Sequence, residues 1–146
     1  MKKEILTLLV IVGAFALLQG LNFVKSPESR SGHHLIQTDD RNFYENMEAS
    51  GDWVLLDFWA PWCPHCLKLK PAIRELAEEN SETLRVLSVN QDEAPGLANQ
   101  FRISGLPTLI LLYKNREVDR RMGVLPKPVL ADWVRGVKEE TEKRAQ

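Results

Sequence analysis

The stretch Ala60-Pro61-Trp62-Cys63-Pro64-His65-Cys66 holds both cysteines of the chain. Two thiols three positions apart can serve as a structural staple, as half of a metal site or as a redox pair. An apolar run precedes them and a helical pattern follows, so Cys63 falls where a strand turns into a helix. The free N–H groups and the dipole of a helix N-terminus favour negative charge there. A thiolate at Cys63 is thereby stabilised, and the thiolate is the form that attacks a disulfide. Cys66 lies on the same helix face and within disulfide reach of Cys63. Cys63 is read as the exposed attacking sulfur and Cys66 as the buried sulfur that resolves the mixed disulfide.

The other uses of the pair fit less well. Tetrahedral zinc needs four ligands, and the chain offers two cysteines and three histidines, of which His33 and His34 sit far off beside a linker. Covalent haem attachment of the c type needs His directly after the second cysteine, where Leu67 stands. A structural disulfide closing so small a loop adds little in the chain-entropy picture. No metal site is expected.

Three further residues carry chemical weight. Asp57 is an acid inside an apolar run, six positions before Cys63. A buried carboxylate is costly and tends to stay protonated, so it reads as a proton acceptor for the Cys66 thiol. Its bland alternative is a strand-end Asp bound to backbone. His65, with Pro64 between the cysteines, reads either as a surface residue facing water or as a dipole that further stabilises the Cys63 thiolate. The second reading makes the disulfide a better oxidant. Pro107 stands at the first residue of a strand, where proline is tolerated and a cis bond can occur.

These residues need a scaffold. Trp53–Trp59 is a near-continuous apolar run, the pattern of a strand covered on both faces. Leu69, Ile73, Leu76 and Ala77 recur at helical spacing after the cysteines, with Pro71 inside that helix as a kink. Residues 84–90 and 108–113 read as two more strands, and His33-His34-Leu35-Ile36 as a short edge strand. Asp39-Asp40 offers acids for a helix start with Phe43, Tyr44 and Met47 on one face, and Gly51 suits a left-handed residue after it. Asp92 and Pro95 open a short helix carrying Leu97, Ala98 and Phe101. Residues 114–117 read as a turn into a strand over 118–122. A last helix from Pro126 or Pro128 buries Leu130, Trp133, Val134 and Val137, and its end, residues 138–144, is a solvated charged face. The order β-α-β-α-β-α-β-β-α predicts an α/β fold, one central mixed sheet with helices on both faces.

The chain's 146 residues suit one such domain. A formal net charge of −1 from 19 basic and 20 acidic residues gives no field that calls for nucleic acid. Ahead of the domain, Met1-Lys2-Lys3-Glu4 precedes an uncharged apolar run over residues 5–24. Residues 1–24 read as a signal peptide or an N-terminal membrane anchor, since about 20 apolar residues span a bilayer. Ala14-Phe15-Ala16 supplies small residues for cleavage, yet Leu17-Leu18 continues the run. Residues 25–32 are a polar linker, and 33–146 form the domain. With Lys2 and Lys3 held in the cytoplasm, the domain lies on the periplasmic side of the cytoplasmic membrane, anchored there by residues 5–24 or secreted if cleaved. Disulfides persist in that compartment.

Residues from about 34 to 140 resemble thioredoxin. The strand, turn and Pro71-kinked helix around LDFWAPWCPHC are similar to the family's active site, SGLPTLILLYKN to its cis-proline loop and following strand, and Gly123 to the glycine of its last hairpin. The resemblance implies a thioredoxin fold, with Cys63 as nucleophile, Cys66 as resolving cysteine, Asp57 as buried acid, Trp62 as the flanking tryptophan and Pro107 as the cis-proline. It also makes Leu106, the residue before that proline, a substrate contact. Thioredoxin itself has Gly-Pro between the cysteines; Pro64-His65 resembles the bacterial disulfide oxidase of the Dsb type, and APWCxHC resembles protein disulfide isomerase domains. The helical insertion of the bacterial oxidase is missing. Ser88 stands where thioredoxin has a lysine near the buried acid, and the hairpin at Asn115-Arg116 lacks the expected glycine.

The expectation is a thiol–disulfide oxidoreductase exchanging disulfides with protein substrates outside the cytoplasm, with no metal or organic cofactor. His65 leans it towards oxidant or isomerase. A membrane redox partner would re-oxidise or re-reduce the pair. The alternatives are a membrane-tethered reductant of the cytochrome c maturation type, a redox-inactive binding module and a metal carrier.

Overall fold

The computed structural model describes residues 35–146; the expectations on residues 1–32 and on His33 and His34 lie outside the described residues. The elements follow the expected order: β1 (Leu35–Thr38), α1 (Phe43–Glu48), β2 (Trp53–Trp59), α2 (Pro64–Glu79), β3 (Arg85–Asn90), α3 (Pro95–Gln100), β4 (Thr108–Tyr113), β5 (Arg116–Met122) and α4 (Lys127–Arg144). The five strands form one sheet in the order β1-β3-β2-β4-β5. β1 and β2 run parallel to β3, while β4 is antiparallel to both β2 and β5. β2 and β3 hold the centre because Val- and Leu-rich runs can be covered on both faces.

Alternation along β2 sorts its side chains between two cores. Leu55 joins Val86, Leu109 and Leu111 against Leu69, Ile73 and Leu76 of α2 and Leu130, Trp133 and Val134 of α4. Val54, Leu56 and Phe58 join Leu87, Val89, Ile110 and Leu112 against Phe43 and Met47 of α1 and Leu97 of α3. Asp57 and Trp59, two and four positions after Leu55, therefore point to the side covered by α2 and α4. Pro71 sits inside α2, as expected.

Several local expectations are corrected. Tyr44 is largely exposed and meets the core only through an edge-to-face contact with Phe43, ring centroids 5.3 Å apart, and Val137 is only half-buried. Gly51 does not adopt the left-handed conformation; α1 ends on Ala49, a right-handed residue whose N–H returns to helix carbonyls. Asp40 does not start α1. Its carboxylate accepts the Gly96 and Leu97 N–H groups at 2.9 and 2.8 Å, capping α3 from a distant loop. Asp92 consequently does not open α3, whose N-cap is Ala94.

The β4–β5 hairpin is tighter than expected. Lys114 and Asn115 form a two-residue loop with φ of 49° and 63°, closed by the Tyr113–Arg116 pair. Both residues occupy the left-handed region that a type I′ turn demands, and Asn supplies it without glycine. A register shift opposite Leu111 and Leu112 then restores the pairing of β5.

Candidate active site

The turn after β2 is short. Cys63 N–H donates to Ala60 O at 3.1 Å, and Cys63 becomes the N-cap of α2, a helix of 16 residues. Pro64 takes the first helical position, where its missing N–H leaves no bond unmade. The Cys63 Sγ accepts the Cys66 N–H at 3.1 Å. The sulfur thus sits where a hydroxyl or carboxylate usually caps a helix, which is the geometry that stabilises a thiolate. Cys63 and Cys66 are joined as a disulfide.

One expectation fails here. Cys63 is not exposed in the disulfide form: it is 4% accessible, beside 2% for Cys66. The two cysteines form a small cluster with Ala60, against which Trp59 and Leu106 pack. Bonding Sγ to Cys66 and accepting its N–H turns the Cys63 side chain inward. Exposure therefore does not separate the two sulfurs in this state; their places on the helix do, since one caps it and the other lies within its first turn.

The surroundings are built from three segments. Trp62 is 64% exposed, and its indole N–H donates to Asp92 Oδ2 at 2.8 Å. That bond fixes a large ring beside the sulfurs and gives Asp92 its role. Leu106 precedes a cis peptide bond to Pro107, which is buried. The loop is pinned on both sides: the Thr108 hydroxyl donates to Gly105 O at 2.7 Å, and the Gly123 N–H donates to Pro107 O at 2.9 Å. Gly123 has φ of 95°, a conformation that favours glycine. His65 is exposed at the start of α2.

Asp57 is 3% accessible and lies on the face of the sheet that α2 covers. Burial pushes its carboxyl up to about 7, opposed by the Lys70 ammonium. Such a group exchanges protons near neutral pH, as a general acid–base should. Ser88 stands opposite Asp57 in the parallel register and is itself buried. The cation near the acid comes instead from Lys70 on α2, which the sequence reading did not single out. Its signal was present: Lys70 is four residues after Cys66, on the helix stripe that faces the sheet.

Surface grooves of about 610, 400 and 240 Å³ are lined by other residues, the first at the opposite end of β2, around Trp53 and Tyr113. Around the disulfide, exposed Trp62 and half-buried Leu106 instead offer an open apolar platform, suited to a polypeptide rather than an enclosed small molecule. Among the described residues, no group of three His, Cys, Asp or Glu side chains could hold a metal ion.

A family model described as Thioredoxin matches residues 34–136. The chain belongs to the thioredoxin family. It is 39% identical to Thioredoxin 1 of Synechococcus elongatus over 93 residues, covering 64% of this chain and 87% of that protein. It is 42% identical to the chloroplastic M-type thioredoxin of Spinacia oleracea over 96 residues, covering 66% of this chain and 53% of that protein. Among solved structures, a chloroplastic thioredoxin z superposes with a TM-score of 0.64 at 27% identity, covering 72% of this chain and 95% of that one. Like its thioredoxin relatives, the protein is a thiol–disulfide oxidoreductase acting on protein thiols and disulfides.

Proposed function

We propose that the protein works outside the cytoplasm, tethered to the cytoplasmic membrane or secreted, and that its intrinsic poise is that of an oxidant or isomerase. The observation that carries the chemistry is the Cys63 sulfur capping α2 and accepting the Cys66 N–H. A thiolate there is a good leaving group and a stable product, so the reduced pair is favoured. Pro64-His65 adds to this lean, and the apolar run over residues 5–24 behind Lys2 and Lys3 supports the location.

In the oxidising direction a substrate thiolate attacks Cys63 Sγ and the Cys63–Cys66 bond breaks. Cys66 leaves as thiolate and takes a proton through Asp57. A second substrate thiolate then attacks the substrate sulfur of the mixed disulfide, and Cys63 leaves as thiolate. The substrate loses two electrons and two protons; the pair gains both electrons and one proton, and the other proton goes to solvent. Trp62, Leu106 and Pro107 line the path of the approaching chain. A membrane redox partner would return the pair to its starting state, and the cycle needs no metal or organic cofactor.

A second reading, a membrane-tethered reductant, runs the same steps backwards. Its support is that the relatives are themselves thioredoxins. Equilibration of the purified protein with glutathione buffers separates the two. The oxidant or isomerase reading expects a potential between about −120 and −180 mV, and a value near −270 mV would overturn it in favour of the reductant. A membrane-impermeant thiol reagent that fails to label Cys63 in intact reduced cells, but labels it after lysis, would overturn the location.

A further inference from the structure

Among the described residues, the buried acid and the cation that acts on it come from different elements, and an aromatic ring on the acid's own strand holds the cation. Asp57 and Trp59 lie two residues apart on β2, on the same face of the sheet. Lys70 reaches across from α2, and its Nζ stands 3.3 Å from the centroid of the Trp59 ring. This is a close cation–π contact, and it fixes a long flexible side chain at the seam between strand and helix. Lys70 is half-buried and belongs to the same helix as Cys66, four residues on.

We propose that Lys70 is a positioning residue of the redox site, its ammonium clamped on Trp59 so as to ease the ionisation of Asp57, which can then accept a proton when Cys66 must lose its own. The proposal rests on the reading of Asp57 as the proton relay for Cys66. Among the described residues, the other groups packed on this face leave Lys70 without a rival. From β3, Ser88 stands opposite Asp57, and from β4, Leu109 does; neither is charged. α4 covers the face with Leu130, Trp133 and Val134. On β5, Arg121 is paired with Asp119 at 3.2 Å, and Asp119 also accepts the Trp133 indole N–H. From α2, Cys66 is the other group that titrates, once reduced, and it is the proton donor in the step itself.

An attractive cation close to a buried carboxylate lowers its proton affinity, which is the direction in which Lys70 acts on Asp57. Without it, Asp57 would hold its proton through neutral pH and could not accept another. Trp59 matters because a free lysine would prefer water to the seam.

The test follows the Asp57 carboxyl carbon by NMR titration of the oxidised protein, alongside the pH profile of protein-disulfide reduction by the reduced protein. Lys70→Met is expected to raise the Asp57 midpoint by about 1 pH unit and to move the rate profile alkaline by the same amount. Lys70→Gln, which keeps a polar side chain at this half-exposed position, behaves alike, whereas Lys70→Arg keeps both near wild type. Trp59→Leu moves both part of the way. In an Asp57→Asn background Lys70→Met leaves the rate profile unchanged. An Asp57 midpoint that stays in place in Lys70→Met and Lys70→Gln overturns the proposal. A midpoint that moves while the rate profile does not overturns instead the relay role of Asp57 on which it rests.

Discussion

Replacing Asp57 with asparagine is expected to stabilise the oxidised protein by roughly 2–4 kcal/mol at pH 8 and to change its stability little at pH 4. The carboxyl titrates near 3.9 in an unfolded chain and at about 7 in the fold, chiefly because it is buried. Between those values the folded state binds a proton that the unfolded state has lost, so stability falls as pH rises through the window. Above pH 7 the fold carries the whole penalty of a buried charge, and asparagine removes it while keeping the shape. Urea unfolding at pH 4, 6 and 8 reads the effect, and an equal gain at all three would contradict it. The same variant should slow resolution of the mixed disulfide, because no local group then takes the Cys66 proton. A stability loss of this kind at neutral pH is the cost expected of a residue that serves proton transfer rather than packing.

Removing the proposed attacking sulfur, Cys63, is expected to have the largest effect on activity. Cys63→Ser is expected to lower disulfide exchange by roughly a thousandfold or more, since no other thiolate stands at the helix N-terminus. The fold should persist, because the lost disulfide closes a loop of only three positions and constrains the unfolded chain weakly. Circular dichroism and the rate of insulin disulfide reduction separate the two outcomes. An unfolded Cys63→Ser protein would mean that the pair is a structural staple after all.

The fold was legible where a signal is local. The apolar run of β2, the helical spacing of Leu69, Ile73, Leu76 and Ala77, and the placement of Cys63 at the strand–helix junction each depend on neighbours in sequence, and each is present. The errors arise where a side chain finds a partner far along the chain. Asp40 looked like a cap for the helix beside it but caps one 57 positions on, at Leu97. Asp92 looked like a helix start but holds the Trp62 indole across 30 positions. Apart from its place on the helix stripe, Lys70 carried no signal of its own because Trp59 and Asp57 come near it only when α2 folds onto β2. Ser88, where the family resemblance places a lysine, hinted at a missing cation, but nothing in the linear sequence says which residue supplies it. The burial of Cys63 was misjudged for a different reason. Exposure was inferred from its reactivity, whereas in the disulfide form the sulfur turns inward to its partner.

Central to the proposed chemistry is the division of labour between Cys63, the sulfur that meets substrate, and Cys66, the one that releases it. Reduced Cys66→Ser protein mixed with an oxidised protein substrate tests this most directly, with the products separated without reductant and mapped by mass spectrometry. The predicted result is a stable one-to-one mixed disulfide on Cys63 that added dithiothreitol dissolves. No adduct, or turnover of the substrate at the wild-type rate, would contradict it.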